Sequence, residues 1–176
     1  LNIISGRSGS GKSTALNQLE DEGYYCIDNL PVSLLPSLVE KTSSEEFGHF
    51  RGTAVCIDAR NAWKDLANFG EVMASLPASV NSEVLFLDAQ ESALIKRFSE
   101  TRRKHPLSSD SMPLAEAIDK ERQLLEPISS AASLVLDTSQ MTIYELRDAV
   151  KQRLLGAESG SMSLLIQSFG FKRGIP

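Results

Sequence analysis

LNIISGRSGSGKS, residues 1–13, is the stretch that decides the fold of this chain. Its first five residues form a short apolar run that predicts a buried strand. Gly6, four intervening residues, Gly11, Lys12 and Ser13 then match the pattern G-x-x-x-x-G-K-[ST], and apolar residues at helical spacing follow. A strand, a glycine-rich turn and a helix in this order predict a phosphate-binding loop, the Walker A motif.

Each part of this motif has a role in binding a nucleotide. The glycines allow successive backbone N–H groups to point at phosphate oxygens, and the start of the helix adds its positive dipole end. Lys12 would reach the β- and γ-phosphates, and the hydroxyl of Ser13 would be a ligand of Mg²⁺. The alternative is a turn without a ligand. The small residues Ser8 and Gly9 and the strand–helix context favour a Mg²⁺–nucleotide site.

Composition limits the class of protein. A length of 176 residues suits one domain, and 41% hydrophobic with 23% charged residues are ordinary globular values. A net charge of −5 argues against a broad nucleic-acid-binding surface, which is normally basic. No apolar run is long enough for a membrane span and no secretory signal is present, so we expect no membrane association and a cytoplasmic location.

Apolar strand-like runs alternate with helical patterns along the chain, which predicts an α/β fold. Such runs form a mostly parallel sheet with helices on both faces, here a three-layer, kinase-like P-loop NTPase fold. Helices are predicted at 12–22, 31–41, 61–75, 90–101, 114–131, with an interruption near Pro127, and 141–155. Trp63, Phe69 and Met73 are predicted to lie in the core, at helical spacings. Four runs end in an aspartate: Asp28, Asp58, Asp88 and Asp137.

Ligands of such sheets bind at the carboxyl ends of the strands, where all four aspartates would lie. A P-loop protein usually holds Mg²⁺ with an acidic residue on the strand next to the loop. We favour Asp58 because the strand after the second helix lies beside the P-loop strand in small P-loop kinases. Asp28 would face an acceptor or regulatory ligand, or would cap the helix that begins at Pro31. For any one aspartate, a cap or turn is the alternative.

Residues 96–105 carry a basic cluster that leads into a polar loop, 101–113. One interpretation is a lid, in which Arg102 and Arg103 fold over the phosphates and stabilise charge during phosphoryl transfer. The other is a solvated basic helix end. His105 has no Cys/His spacing that would indicate a metal site. The cluster consists of Lys96, Arg97, Arg102, Arg103, Lys104 and His105.

Several motifs together resemble one family. SGRSGSGKS at 5–13, YCIDNLP at 25–31, IDARN at 57–61, TRRKHPL at 101–107 and SFGFKRGIP at 168–176 resemble the RapZ/YvcJ family over the whole chain. The resemblance implies a P-loop domain, residues 1–156, that binds ATP or GTP. It implies that residues 157–176 are a linker and the start of a C-terminal domain that is missing here. The implied nucleotide-binding residues are Gly6, Arg7, Ser8, Gly9, Ser10, Gly11, Lys12, Ser13, Asp58, Ala59, Arg60 and Asn61.

For the longer protein, the resemblance implies an adapter that presents a small regulatory RNA to an endoribonuclease and so controls synthesis of glucosamine-6-phosphate. It also implies a homo-oligomer. The RNA-binding part belongs to the C-terminal domain, in agreement with the negative charge of this chain.

Three functions stay open at this point. The first is a regulatory nucleotide switch with at most weak hydrolysis, in which Lys12 and Asp58 act on the nucleotide. The second is a kinase of a small metabolite or nucleotide, with an acceptor pocket near Asp28 and Arg102 and Arg103 in its lid. The third is a domain of assembly alone, whose loop is vestigial. The guanine-reading motif Asn-Lys-x-Asp and the switch motif Asp-x-x-Gly are absent, which argues against a Ras-like GTPase.

Overall fold

The computed structural model describes residues 1–156, and its centre is a five-stranded parallel sheet. The strand order is β2-β3-β1-β4-β5, so the strand that precedes the phosphate-binding motif lies in the middle. As predicted, β3 pairs directly with β1, with Ile3 opposite Val55. The strands are β1 (Asn2–Gly6), β2 (Tyr25–Ile27), β3 (Thr53–Cys56), β4 (Glu83–Asp88) and β5 (Leu134–Asp137).

Seven α-helices are described in residues 1–156. They are α1 (Lys12–Asp21), α2 (Leu35–Thr42), α3 (Trp63–Ala67), α4 (Phe69–Ser75), α5 (Glu91–Thr101), α6 (Leu114–Ser130) and α7 (Ile143–Val150). Short 3₁₀ turns at Val32–Leu34 and Glu45–Phe47 precede and follow α2, and a π-helical turn, Lys151–Leu155, continues α7. No helix within the described part of the chain is long and apolar enough to cross a membrane.

Both faces of the sheet are covered, because the strands are apolar on both sides. Ile3 and Phe86 point to one face and pack with α2, α3, α4 and the second half of α6. Ile4 and Leu85, their neighbours along the strands, point to the other face and pack with α1 and α7. This arrangement confirms the predicted three-layer α/β fold.

Two helix predictions were wrong in detail. The predicted helix 61–75 is two helices, and Asn68 separates them. The predicted interruption near Pro127 does not occur, since α6 runs through that residue. Proline in a helix loses one hydrogen bond, but Leu125 and Ile128, on either side of it, are fully buried in the core and hold the helix in register.

The prediction that Trp63 lies in the core was also wrong, since 64% of its surface is exposed. Phe69 is fully buried as predicted, and Met73 is partly buried against the same core. The break at Asn68 explains the difference. Trp63 begins the five-residue helix α3, whose buried residue is Leu66, so Trp63 and Phe69 do not lie on one continuous helical face. The linker and the start of a C-terminal domain, predicted for residues 157–176, lie outside the described residues.

Candidate functional site

A cleft of about 790 Å³ opens at the carboxyl ends of the strands. Residues that follow four strands line it: Ser8 after β1, Asp28 after β2, Asp58 after β3 and Thr138 after β5. The motif, Asp28 and Asp58 therefore come together, as the parallel sheet requires. Asp88 and Asp137 also end strands, but they do not line the cleft: the Oδ1 of each accepts a backbone N–H of the turn that follows, from Ala89 and Ser139 respectively.

The loop between β1 and α1 forms one wall of this cleft. Gly6 has φ +143° and lies so close to the backbone of Leu87 on β4 that any side chain there would collide with it. Gly11, at φ +106°, is the residue before α1 and packs against the side chain of Leu146. The first N–H groups of α1, like those of any helix, have no intrahelical partner, and no side chain caps them at Gly11. This is a geometry that suits an anion.

Lys12 is buried, and its side chain folds back into the loop. Its Nζ donates hydrogen bonds to the carbonyl oxygens of Gly6 (2.8 Å) and Arg7 (3.1 Å). Ser13, the next residue, is exposed at the cleft. The buried Oγ of Ser10 has no hydrogen-bond partner among the residues described. An unpaired hydroxyl and a buried ammonium group on the same loop fit a phosphate, which could accept hydrogen bonds from both.

Within the loop part of the predicted nucleotide set, Gly6 and Arg7 do not line the cleft. Gly6 instead allows the loop to approach the backbone of β4 closely. The guanidinium of Arg7 is buried on the far side, where Nη1 donates to the carbonyl oxygen of Ala89 (3.1 Å) and lies 3.7 Å from the carboxylate of Asp88. The other members from Ser8 to Ser13 all line the cleft.

Asp58 lies across the cleft from the loop, buried and held by Arg60. Its Oδ2 accepts hydrogen bonds from Nε (2.9 Å) and Nη2 (2.6 Å) of Arg60, and its Oδ1 accepts from the backbone N–H of the same residue (2.9 Å). Bonding to this carboxylate raises the pKa of Arg60. Ala59 is buried, and Asn61 Oδ1 accepts the N–H of Val32 (2.9 Å). Neither Ala59 nor Asn61 lines the cleft.

The two residues predicted as Mg²⁺ ligands, Ser13 and Asp58, both line the cleft. Within residues 1–156 no group of three or more His, Cys, Asp or Glu side chains could hold a metal ion by itself. A hard cation here would therefore need oxygens from phosphate groups and water in addition to these two side chains.

The basic segment, which we define as residues 102–113 between α5 and α6, forms the outer part of the site. Arg103 and Lys104 line the cleft, whereas Arg102 does not. Arg102 ends α5 in the left-handed conformation, at φ 52°. On α5 itself, Arg97 Nη1 donates to the carbonyl oxygen of Gly9 (3.0 Å) and to Thr138 Oγ1 (3.1 Å). Of the two arginines in the lid interpretation, Arg103 therefore lines the cleft and Arg102 does not.

Sequence reasoning missed Glu121, whose side chain is fully buried against the loop. Its Oε2 accepts the backbone N–H of Ser8 (2.9 Å), and its Oε1 accepts the Ser8 hydroxyl (2.6 Å). His105 Nε2 lies 3.1 Å from Oε2. Burial raises the pKa of Glu121, but hydrogen bonds from His105 and Ser8 and the charge of Lys12 outweigh it, so the net pKa is lowered. The sequence did carry a signal for this residue, because Glu121 interrupts the apolar stripe of α6 between Ile118 and Leu125.

His105 was grouped with the exposed cations at the end of α5, but its side chain is fully buried. Thr138 was also missed: its Oγ1 donates to the carbonyl oxygen of Ser10 (2.9 Å) and ties β5 to the loop. No motif in the sequence pointed to this contact.

Known proteins match this chain over nearly its whole length. Residues 1–158 match the family model described as RapZ-like N-terminal domain. A protein of Hahella chejuensis named nucleotide-binding protein is 55% identical over 99% of this chain and 61% of its own length. The RNase adapter protein RapZ of Photorhabdus laumondii is 49% identical over 100% of this chain and again 61% of its own length. The chain therefore spans about three fifths of these relatives.

Two solved kinases share the fold. A sugar kinase of Janibacter superposes with a TM-score of 0.56 at 18% identity, over 92% of this chain and 97% of the kinase. The shikimate kinase of Acinetobacter baumannii superposes with a TM-score of 0.53 at 14% identity, over 89% and 93%. At such low identity the likeness shows the fold alone, and the kinase-like prediction is confirmed at that level.

Proposed function

The chain belongs to the family of RapZ-like N-terminal domains, and on that premise we propose that it binds ATP or GTP with Mg²⁺ and regulates an RNase adapter protein. The observation that carries the proposal is the cleft wall formed by Ser8–Ser13. There, the start of α1, Lys12 and Ser10 line one space, and the hydroxyl of Ser10 has no partner among the residues described. A chain of phosphates is the ligand that satisfies all three.

The nucleotide would lie with its phosphates along the loop. Lys12 would exchange its two backbone acceptors, Gly6 and Arg7, for phosphate oxygens, which are stronger acceptors because they are charged. Ser13 and Asp58 would hold Mg²⁺, which supplies charge neutralisation at the β- and γ-phosphates when bound. Arg103 and Lys104 would add positive charge at the mouth of the cleft.

The contacts of Asp58 favour a regulatory site with at most weak hydrolysis. Both of its oxygens accept hydrogen bonds from Arg60, so metal binding must compete with a charge-assisted pair. A nucleotide that rearranges this pair would have different affinities for two states of the protein, which is the requirement for a switch.

Asp28 supports the alternative, a kinase for a small metabolite or nucleotide. It is exposed in the cleft and has no hydrogen-bond partner among residues 1–156, so its carboxylate could accept a proton from an acceptor hydroxyl. In that case Arg103 would be the lid residue, and Arg102 would need to turn toward the cleft.

For the whole protein we propose a cytoplasmic homo-oligomeric adapter that binds a small regulatory RNA and an endoribonuclease and so controls glucosamine-6-phosphate synthesis. The name of the Photorhabdus relative supports the adapter role. The net charge of −5 favours RNA contacts outside this chain.

The test uses γ-labelled ATP and GTP with Mg²⁺, with and without a metabolite extract. We expect binding and slow release of phosphate by the wild type. Lys12→Ala should abolish binding, and Lys41→Ala, which removes an exposed lysine paired with Glu46, should change nothing. Rapid transfer of label to a metabolite would establish the kinase instead. Equal behaviour of the wild type and Lys12→Ala would contradict both and favour a vestigial loop.

A further inference from the structure

Glu121 connects two parts of the site that are far apart in sequence. It lies on α6, 113 residues after Ser8, and both of its oxygens accept hydrogen bonds from that single loop residue. The same carboxylate contacts His105, 16 residues earlier, in the basic segment. The side chains of Glu121 and His105 are fully buried, so water does not compete for these bonds.

The hydrogen bonds of His105 define its orientation. Its Nδ1 accepts the backbone N–H of Leu107 (3.2 Å), which leaves Nε2 to carry the proton and donate to Glu121. The carbonyl oxygen of His105 accepts both the N–H and the hydroxyl of Ser108 (3.0 and 2.9 Å). The ring of Phe98 on α5 packs against the ring of His105, with the two centroids 5.2 Å apart. One fully buried histidine thus anchors the first half of this stretch, where Leu107 also packs against the core.

A carboxylate at this place is costly on two counts. Position 121 continues the apolar stripe of α6, where a hydrophobic side chain would avoid the desolvation of a charge. Its negative charge is also close enough to interact with Lys12, so it opposes the binding of phosphate groups at the loop. The carboxylate offsets this cost by accepting three hydrogen bonds, two from Ser8 in the loop and one from His105 in the basic segment.

We propose that Glu121 and His105 form a latch that holds the basic segment to the phosphate-binding loop, which makes Glu121 a positioning residue for the nucleotide phosphates. The proposal rests on the nucleotide-binding function above and deepens it. Because consecutive Cα atoms are about 3.8 Å apart, anchoring His105 also confines Lys104 and Arg103, the two segment cations that line the cleft.

Nucleotide affinity separates this role from simple charge repulsion. Glu121→Gln keeps the size of the side chain but removes its charge, so electrostatics alone predicts tighter binding of ATP and GTP. The latch predicts the opposite, about tenfold weaker binding, because the amide cannot accept both Ser8 donors and the His105 donor. The control Glu126→Gln removes an exposed charge from the same helix and should bind like the wild type.

Amide hydrogen exchange of the nucleotide-free chain tests the latch directly. In Glu121→Gln we expect residues 102–113 to exchange at least about tenfold faster, with β4 unchanged. His105→Phe keeps the Glu121–Ser8 bonds, so it should release the segment while the Ser8 amide keeps its protection against exchange. If Glu121→Gln does not fold, His105→Phe, which removes the donor from the basic segment alone, takes its place in both measurements and should weaken nucleotide binding by a smaller factor.

The outcomes distinguish failure of the proposed function from failure of the latch. If the wild type binds neither ATP nor GTP, the proposed function fails, and the positioning role fails with it. If the wild type binds and Glu121→Gln binds equally or more tightly, or if exchange in residues 102–113 is unchanged, the latch alone is overturned. Weaker binding together with faster exchange confined to the basic segment supports it.

Discussion

The phosphate-binding loop and the basic segment face the same cleft, but different contacts hold them. Much of the loop is held from within: Ser10 N–H donates to the carbonyl oxygen of Arg7 (3.0 Å), and Lys12 donates to Gly6 and Arg7. The basic segment has a single isolated β-bridge, Ser109–Met112, between α5 and α6. Its buried anchor is His105, whose partner Glu121 lies on another element.

This difference separates contacts that can be predicted from neighbouring residues from contacts that form only in the folded protein. The local contacts of the loop, such as those of Lys12, follow from the spacing of the motif and can be recognised in the sequence. Its bonds with Arg97, Glu121 and Thr138 come from distant elements and cannot. A segment anchored by a distant carboxylate, and by Leu107 packed against the core, depends on the packing of α6 against the loop. Its cations come into place only when the tertiary structure forms.

The largest effect should come from breaking the bond between the two regions. At pH 7, Glu121→Gln should lower the free energy of unfolding by about 3 kcal/mol, because it disrupts a buried, hydrogen-bonded charge. The pKa of Glu121 is lowered on folding from its usual 4.5, so its stabilisation is complete above that value and is lost as the pH falls through the folded pKa. The gap between wild type and variant should therefore narrow below pH 4.5.

Urea unfolding of both proteins from pH 7 downward measures this gap. Glu126→Gln, on the exposed face of α6, serves as the control and should stay close to the wild type at every pH. A gap that is constant below pH 4.5 would show that the ionised carboxylate does not stabilise the fold.

A smaller effect should follow from a change within the loop alone. Gly11→Ala places a side chain at φ +106° and against Leu146, so we expect a loss of about 2 kcal/mol in unfolding free energy. The basic segment should keep its hydrogen-exchange protection, because Glu121 and His105 do not contact Gly11 directly. Thermal unfolding and exchange measurements check the two parts, and faster exchange in residues 102–113 would mean that the regions are not independent.

The smallest effect should distinguish two adjacent arginines. Arg103 lines the cleft and Arg102 does not, so Arg103→Ala should weaken nucleotide binding about threefold, and Arg102→Ala should leave it unchanged. The Arg103 effect should decrease with added salt, since an exposed charge is screened. Titration at two salt concentrations measures this, and equal losses in both variants would indicate that the segment rearranges when nucleotide binds.

Much of the fold was predictable because parallel α/β proteins carry strong local patterns. The apolar runs that end in Asp58 and Asp88 became the strands beside β1, and the motif at 6–13 became the loop and the start of α1. Trp63 was misplaced because helical spacing across Asn68 does not reveal that the helix breaks there. The interruption predicted near Pro127 does not occur, because its buried neighbours keep α6 continuous.

The site was predictable only in part. Lys12, Ser13, Asp58 and Arg103 were identified and all line the cleft, whereas Arg102 was identified and lies outside it. Glu121 was missed although it interrupts the apolar stripe of α6, since a single polar residue on a helix does not name its partner. The roles of these side chains in binding a nucleotide stay predictions.

The sequence by itself determined the strand, loop and helix of the phosphate-binding motif, because turn geometry and helix start are set by neighbouring residues, glycine above all. It also determined the order of sheet and helices through apolar periodicity. The tertiary structure alone decided that Glu121 meets Ser8 and His105, and which of two adjacent arginines faces the cleft. Those contacts depend on the packing of α5 and α6 around the loop, and a buried carboxylate is stable only where that packing brings its donors together.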